Sequence, residues 1–417
     1  MSIPLDRLYH FIESVAQNIF QDRVLIYRFY PHGSKNFKDL NTLNTISWKE
    51  GTLAPHIYCN DQEPLDYDYY EKDENTPFPL PFVKIGNLQR TRSYYDHAII
   101  IHSEKRSQNV EKYSCNSFVP AYYWSHAVIA LDWFRYAKYV ELFKKSNKIF
   151  LVYNRAWTGT REYRLKFLDY LIQQDIHQHC LTWANPVAEG IHYSNYTFKN
   201  IKWKPNNILE DYFPESIADS NYSADFDLND YNATDIEIVL ETLFDDDRLH
   251  LTEKSLRPIA VGQPFILAGT HGSLEYLRSY GFKTFGDVWD ESYDLVKDPA
   301  ERLIQIAELM KHISTWDPET RANKMLQARA LANFNRQYFF STEFFNLVKK
   351  ELVDNLTQAF NSITSNNTFK IWLRVYGAYL SNKQIVKQLI QIKDPLYPTL
   401  KDIKSVQDLI NHKLNSQ

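Results

Sequence analysis

Short apolar runs alternate with segments of helical periodicity along most of the chain. In the first third, apolar runs at residues 23–30, 56–59 and 97–101 predict buried strands, and the spacing of apolar residues over 5–19 predicts a helix. Residues 125–143 predict one long amphipathic helix. Strands that alternate with helices are typical of βαβ units, so this part of the chain is predicted to form a parallel sheet.

The same alternation starts again after a polar break at residues 144–148. The strands predicted in this second half are residues 148–153, 235–240, 264–268 and 282–285. The helices predicted there are residues 160–173, 253–260 and 275–280, and helical patterns dominate from residue 299 onward.

The pattern therefore predicts an α/β protein of two Rossmann-like lobes followed by a helical tail. The lobes are predicted to span residues 1–146 and 147–345, and the tail residues 346–417. In doubly wound folds, ligands bind at the carboxyl ends of the parallel strands. We therefore expect functional residues at strand ends, with the cleft between the two lobes as the natural site.

Glycine is scarce and unevenly placed, which sharpens this expectation. Only 11 of the 417 residues are glycine, well below the usual share of about 7%. Five of the 11 fall within residues 262–286, so this window is predicted to need unusual backbone geometry or a close approach to a ligand. The chain also holds 9 Trp, 29 Tyr and 25 Phe, a composition that excludes collagen-like and disordered classes.

Charge is segregated along the chain. Residues 205–247 hold 13 Asp or Glu and no Lys or Arg, so the rest of the chain has 47 basic and 38 acidic residues. A solvated loop region is the ordinary explanation of such an acidic stretch. The net positive charge of the rest of the chain is compatible with a phosphate-bearing ligand or polymer.

The sequence also bears on the compartment. The three cysteines (Cys59, Cys115 and Cys180) form no CxxC spacing and indicate neither a zinc site nor a disulfide framework. The first residues carry charges where a signal peptide needs an apolar stretch. No apolar run approaches the roughly 18 residues of a membrane span. We expect a protein of the cytoplasm with no membrane partner.

The stretch from residue 238 to 285 carries the most informative chemistry. A predicted strand ends in a carboxylate, and Thr252 is placed to cap the following helix. A carboxylate can accept two ribose hydroxyls, a lysine can neutralise a diphosphate, and glycines with a helix N-terminus let backbone N–H groups approach phosphate oxygens. A Glu-Lys pair at a helix start is also common surface chemistry. This chemistry suits a sugar nucleotide, which we call the donor. The donor-binding residues predicted here are Glu241, Thr252, Glu253, Lys254, Gly269, His271 and Gly272.

Other strand ends add further candidates. Asn154 and Arg155 follow the strand predicted at 148–153, where a guanidinium could bind two phosphate oxygens, and Arg161 and Arg164 come soon after. The candidate contacts to the acceptor, the molecule that would receive the sugar, are Ser103, Glu104 and His126. No metal constellation is recognisable, and a metal-independent site that uses basic side chains accounts for the charges more simply.

Several of these residues together resemble a known signature. Glu241, the run at 252–254, Pro258 and the run at 263–265 resemble the donor-binding signature of α-1,3-fucosyltransferases. Other segments look more like glycosyltransferase-like proteins of large tailed bacteriophages. These segments are residues 61–64, 132–135, 264–268 and 290–294, with Arg278.

This resemblance implies a fold, a reaction and a base. The fold is the two-domain B-type glycosyltransferase fold, and the reaction is transfer of a sugar from a UDP- or GDP-linked donor, with no bound cofactor and no metal. Glu63 or Asp61 matches the position of the general base, which deprotonates the acceptor hydroxyl so that configuration inverts. The acceptor is either a hydroxymethylated base of phage DNA or a surface glycan. The rival hypothesis is a non-catalytic sugar-nucleotide or nucleic-acid binding protein with a degenerate fold of this type.

Overall fold

A computed structural model describes residues 14–16, 18–19, 26–30, 56–60, 98–107, 121–123, 140–206 and 226–365. Its contacts divide the chain into two compact units. One unit holds, of the described residues, 140–206 and 226–348. The other holds the described residues from 14 to 123 and 349–365.

The smaller described part is a four-stranded parallel sheet. Its strands are β1 (Ile26–Tyr30), β2 (His56–Asn60), β3 (Ala98–His102) and β4 (Ala121–Tyr123), in the order β1-β2-β3-β4. The strands predicted near residues 23–30, 56–59 and 97–101 are thereby confirmed. The helix predicted at 5–19 is helical at residues 14–16 and 18–19, and its other residues lie outside the described part.

The unit that holds residues 140–206 and 226–348 is built on another four-stranded parallel sheet, in the order β10-β9-β5-β6. Its strands are β5 (Phe150–Asn154), β6 (Cys180–Ala184), β9 (Ile236–Leu240) and β10 (Phe265–Ala268). A short antiparallel hairpin, β7 (Val187–Ala188) and β8 (Ile191–His192), follows β6. Every residue of β5, β9 and β10 is buried, as expected of parallel strands covered on both faces.

Helices cover this sheet and continue beyond it. They are α1 (Tyr163–Gln173), α2 (Leu228–Ala233), α3 (Glu253–Val261), α4 (Ser273–Ser279), α5 (Pro299–Ser314), α6 (Pro318–Phe339) and α7 (Thr342–Ser365). On one face of the sheet, Leu151 and Tyr153 of β5 form a buried cluster with Tyr231 and Val261, which belong to α2 and α3. The fold is thus mixed α/β with a helical C-terminal region.

Two predictions on secondary structure are wrong where the structure describes them. Residues 282–285 are not a strand, because the side-chain amide of Asn335 binds both the backbone N–H (2.8 Å) and the carbonyl (2.7 Å) of Lys283. Residues 140–143, the end of the helix predicted at 125–143, are not helical. The backbone there bonds outward instead, as the 2.7 Å hydrogen bond from the Phe143 N–H to Asn232 Oδ1 shows. Residues 125–139 lie outside the described part.

Candidate functional site

The second sheet has a topological switch point between β5 and β9. From β5 the chain moves to β6 on one side, and later to β9 on the other side. In open parallel sheets, ligands bind at this point, outside the carboxyl ends of the strands. Asn154 ends β5, and Glu241 directly follows β9. Two of the predicted donor-binding residues therefore lie at neighbouring strand ends.

Arg164, at the start of α1, joins these two strand ends. Its guanidinium donates to the carbonyl oxygens of Ala156 (2.5 Å), Leu240 (2.5 Å) and Glu241 (3.1 Å). Arg164 is only 2% exposed, and burial lowers its pKa. The side chain thus links the segments that follow β5 and β9 from the interior of the protein.

Asn154 is also buried at this edge. Its side-chain Nδ2 donates to the carbonyl oxygen of Arg164 at 3.0 Å. Its Oδ1 accepts no hydrogen bond from the described residues, although the atom is buried. A buried acceptor of this kind ordinarily has a partner.

Glu241 anchors the N-terminus of α3. Its Oε1 accepts from the N–H groups of Thr252 (3.0 Å) and Ser255 (3.2 Å) and from the Ser255 hydroxyl (2.5 Å). Its Oε2 accepts from the hydroxyl of Thr252 (2.7 Å) and from the Thr242 N–H (3.2 Å). The carboxylate is fully buried and is engaged with the protein's own donors, as a helix cap is.

The predicted N-cap role of Thr252 is confirmed. Its hydroxyl accepts from the backbone N–H of Lys254 at 3.3 Å. This places Glu253 and Lys254 in the first turn of α3, at the carboxyl edge of the sheet. The helix ends at Val261, and Gly262 caps it with a left-handed φ of 81°, as is typical of a C-cap glycine.

Lys254 is an interior lysine at this edge. Its Nζ donates to Glu253 Oε1 (2.8 Å) and to the hydroxyls of Thr242 and Thr252 (3.2 Å each). Its side chain is 9% exposed and that of Glu253 is 1% exposed. An ammonium group has three N–H donors, so the protein uses all three.

The charges around Lys254 form a cationic cluster, which we define as Arg161, Arg164 and Lys254. Burial is the main cause that lowers the pKa of Lys254, and Arg164 and Arg161 lower it further. Glu253 and Glu241 act in the opposite direction. Arg161 ends a short 3-10 helix that follows β5. The effect of these two acids on Lys254 is larger than that of the two arginines, so the protein's own carboxylates partly neutralise the cationic cluster.

Arg155 directly follows β5 and lies on the same face of the sheet as Tyr153. Its guanidinium carbon is 4.8 Å from the centroid of the Tyr153 ring. Burial raises the pKa of Asp230, and the charge of Arg155 acts to lower it. The Tyr153 hydroxyl donates to Asp230 at 2.8 Å. The structure thus places Arg155 beside α2 and Asp230.

The glycines after β10 approach protein atoms. A Cβ on Gly269 would lie 2.8 Å from the Ser273 hydroxyl oxygen. Gly272 has a φ of 80°, and its N–H donates to the carbonyl of Asp294 at 2.8 Å. The Asp294 carboxylate accepts from the N–H of Leu274 at 3.1 Å, so an internal acid occupies the N-terminus of α4. His271 is half-buried between these glycines.

Two of the acceptor-side candidates, Ser103 and Glu104, belong to the unit that contains β1 to β4. Ser103 and Glu104 follow β3 and are buried, with 3% and 2% exposure. Glu104 Oε2 accepts from the Ser107 hydroxyl at 2.5 Å. The candidate bases Asp61 and Glu63, and the candidate His126, lie outside the described residues.

Two residues that the sequence analysis missed also shape this edge. Arg302 donates to the carbonyls of Gly269 (3.1 Å), Phe244 (2.5 Å) and Val296 (2.6 Å), and burial lowers its pKa to about 10. Asp294 lies at the end of the 290–294 run, but nothing in that run indicates a helix cap 20 residues upstream. Both roles depend on contacts between distant parts of the chain.

Among the residues that the structure describes, no group of three or more His, Cys, Asp or Glu is arranged to hold a metal ion. Within the same residues, no helix has the length and apolar character needed to cross a bilayer. Comparison of the chain with protein-family profiles, curated proteins and solved structures finds no match.

Proposed function

We propose that the chain is a metal-independent glycosyltransferase of the B-type fold. It would move a sugar from a UDP- or GDP-linked donor to a hydroxyl acceptor, with inversion. The observation that carries this proposal is the interior Lys254, which lies with Arg161 and Arg164 at the switch point of a parallel sheet. Such clustered cations suit a ligand with concentrated negative charge, and a nucleotide diphosphate is one.

The chemistry follows from where negative charge develops. When the bond between the sugar and the diphosphate breaks, charge accumulates on the leaving phosphate. Fixed cations at that position stabilise the transition state more than the ground state. Lys254 would exchange a hydroxyl partner, Thr242 or Thr252, for a phosphate oxygen. The buried Asn154 Oδ1 offers an acceptor to a ligand hydroxyl at the same edge.

On the acceptor side, Glu63 or Asp61 would remove the proton of the attacking hydroxyl. Ser103, Glu104 and His126 are the proposed contacts to the acceptor. The acceptor is a hydroxymethylated base of DNA or a glycan hydroxyl. A transfer assay with duplex DNA containing hydroxymethylcytosine, run beside a glycan panel, separates these two acceptors.

The first experiment is a thermal-shift screen of UDP- and GDP-sugars on the full chain. A ligand at 100 times its Kd stabilises the folded state by about 2.7 kcal/mol, which raises Tm by about 3 to 6 °C for a protein of this size. Chelation of metal ions by EDTA should leave this shift intact. Absence of a shift with every nucleotide sugar would refute the donor site.

A matched pair of variants tests the role of Lys254 in donor binding. Lys254→Met removes a charge-assisted contact and should weaken donor binding by about 10- to 100-fold. Lys349→Met, at an exposed position of α7, should leave it unchanged. The Tm of each variant without ligand shows whether the fold is intact. Donor affinity in Lys254→Met equal to that of the unmodified chain contradicts the proposal.

A second candidate function rests on a different observation. The N-termini of α3 and α4 are already occupied by the carboxylates of Glu241 and Asp294, which leaves fewer open phosphate donors than a helix N-terminus usually offers. Fewer donors would stabilise the charge that develops on a leaving diphosphate, which favours a protein that binds a sugar nucleotide without transferring the sugar. The two candidates differ in turnover: a thermal shift with release of free UDP or GDP supports the enzyme, and a shift without release supports the binding protein.

A further inference from the structure

A second cluster of basic side chains lies at the amino-terminal edge of the same sheet. We define the basic edge as Lys148, His177, His179, Lys311 and Arg321. Lys148 precedes β5, the two histidines precede β6, Lys311 lies in the last turn of α5, and Arg321 lies near the start of α6. The candidate donor site is at the carboxyl ends of these strands, so the basic edge is a separate feature.

Backbone carbonyls hold two of these cations in place. Lys148 Nζ donates to the carbonyl of Gln178 at 2.6 Å, and Lys311 Nζ donates to the carbonyl of Gln174 at 2.7 Å. Both lysines are thus fixed to the same turn between α1 and β6. Each ammonium has three N–H donors, so each retains two for a ligand.

Three cations of the basic edge are not balanced by ion pairs with the described residues. Among the described residues, no carboxylate lies within ion-pair distance of Lys148, Lys311 or Arg321. After burial, the groups that most affect the pKa of His179 are Arg321, Lys148, Lys311 and His177, and all of them lower it. The site is therefore electropositive and disfavours the charged form of its own histidine.

Structural roles account for only part of this arrangement. Lys311 suits the C-terminal end of α5, where a cation is favoured by the helix dipole, but Arg321 lies in the first turns of α6, where a cation is disfavoured. The carboxylate nearest to it in sequence, Asp317, is engaged with the N–H groups of Glu319 and Thr320 (3.0 Å each). Because these like charges repel one another, the arrangement lowers the stability of the fold. A bound anion would relieve the repulsion, and this indicates a ligand.

The openness of the surface selects the kind of ligand. All five side chains are exposed or half-buried, so a single small anion would gain little from each screened contact. A polyanion can engage several of them at once and release its counterions. Duplex DNA carries one charge per about 1.7 Å of its axis, a density that an acidic protein surface does not match.

We propose that the basic edge binds the phosphate backbone of nucleic acid. The site reads charge and not sequence, since its contacts would go to phosphates. This inference does not depend on the proposed transferase activity, because none of its residues belongs to the donor site. If the donor site proves wrong, the basic edge can still bind DNA, and the reverse also holds.

The test is fluorescence anisotropy of a short labelled duplex with the full chain at several salt concentrations. The double variant Lys311→Gln with Arg321→Gln should bind at least about 10-fold more weakly at low salt, and the slope of log K against log salt should fall by about 2. The matched control, Lys349→Gln with Lys350→Gln, removes two exposed lysine charges of α7 and should change neither. Circular dichroism melting of both variants confirms folding.

A proton-linkage measurement adds a readout that general charge effects do not share. Bound phosphates favour protonated His179, whose pKa is lowered in the free protein, so affinity should rise as pH falls from about 7.5 to 6. His179→Gln should remove much of this rise. The proposal is overturned if the unmodified chain does not bind the duplex at low salt or if the control variant loses the same slope. It is equally overturned if polyglutamate competes as well as DNA at equal charge.

Discussion

The Glu241 carboxylate accepts a 2.7 Å hydrogen bond from the Thr252 hydroxyl and so ties the end of β9 to the start of α3. The same carboxylate receives the N–H groups of Thr252 and Ser255. A strand-end acid thus caps a helix that begins more than ten residues later. Because Lys254 lies in the first turn of that helix, its position relative to Arg164 depends on this cap.

Replacement of the Glu241 carboxylate should therefore be costly. In Glu241→Gln the carboxamide keeps one acceptor oxygen and turns an NH2 group toward donors, so at least two of the buried bonds are lost. We expect the free energy of unfolding to fall by about 2 to 4 kcal/mol. Urea denaturation of the full chain, followed by circular dichroism, measures this change.

The partner residue provides the control. Thr252→Ser keeps the capping hydroxyl and should cost less than about 0.5 kcal/mol, whereas Thr252→Ala should cost about 1 to 2 kcal/mol. A loss below 0.5 kcal/mol for Glu241→Gln, at the level of Thr252→Ser, would show that the cap does not stabilise the fold.

Asp294 should make stability depend on pH. Burial raises its pKa to about 6, so the folded protein binds a proton that the unfolded chain releases at lower pH. Between the unfolded and folded pKa values, stability falls as pH rises, and the ionised carboxylate costs on the order of 3 kcal/mol at neutral pH. Asp294→Asn keeps an oxygen that accepts from the Leu274 N–H and removes this cost.

The measurement is a comparison of the two chains by urea denaturation at about pH 5 and pH 7.5. Between these values, the stability of Asp294→Asn relative to the unmodified chain should rise by about 1 kcal/mol, since part of the titration lies below pH 5. Asp317→Asn is a suitable control, because Asp317 is exposed and its pKa is lowered by hydrogen bonds. A relative stability of Asp294→Asn that does not change with pH would contradict the assignment.

The sequence was sufficient for elements whose burial is continuous. The apolar runs of β5, β9 and β10 predicted strands because parallel strands are buried along their whole length. It was not sufficient for β6, where only the first and last residues are buried, or for the six-residue α2. The capping role of Thr252 was predictable because a cap is a local relation, two residues from its partner.

Other features depend on contacts that no local pattern contains. Two phenylalanines indicate burial and not the hydrogen-bond partner of the backbone between them, so residues 282–285 were predicted as a strand. Phe282 and Phe285 are core aromatics, with ring centroids 5.0 Å from Phe344 and 5.2 Å from Phe265. The roles of Arg164 and Arg302 likewise come from carbonyls dozens of residues away.

Asn335 takes the place of a strand partner, and its exact chemistry should matter. Its Oδ1 accepts from the Lys283 N–H and its Nδ2 donates to the Lys283 carbonyl, and the residue is fully buried. Asn335→Asp has the same shape but places a carboxylate oxygen against the carbonyl. We expect a loss of about 2 to 4 kcal/mol at neutral pH, partly recovered at low pH as the new acid becomes protonated. Denaturation curves at two pH values test this, and equal losses at both would contradict it.

The glycine cap of α3 separates two costs that a side chain would incur. Gly262 has a φ of 81°, and a Cβ there would lie 3.1 Å from Arg336 Cδ; Gly159 has a φ of 66° with open space around its Cβ position. Gly159→Ala should therefore cost only the left-handed backbone, about 1 kcal/mol, and Gly262→Ala should cost more by the displacement of Arg336. Arg336 Nη1 donates to the Val140 carbonyl at 2.9 Å, so this displacement strains that hydrogen bond. Denaturation of Gly262→Ala in an Arg336→Ala background should reduce its cost to that of Gly159→Ala, and an unchanged cost would show that the contact plays no part.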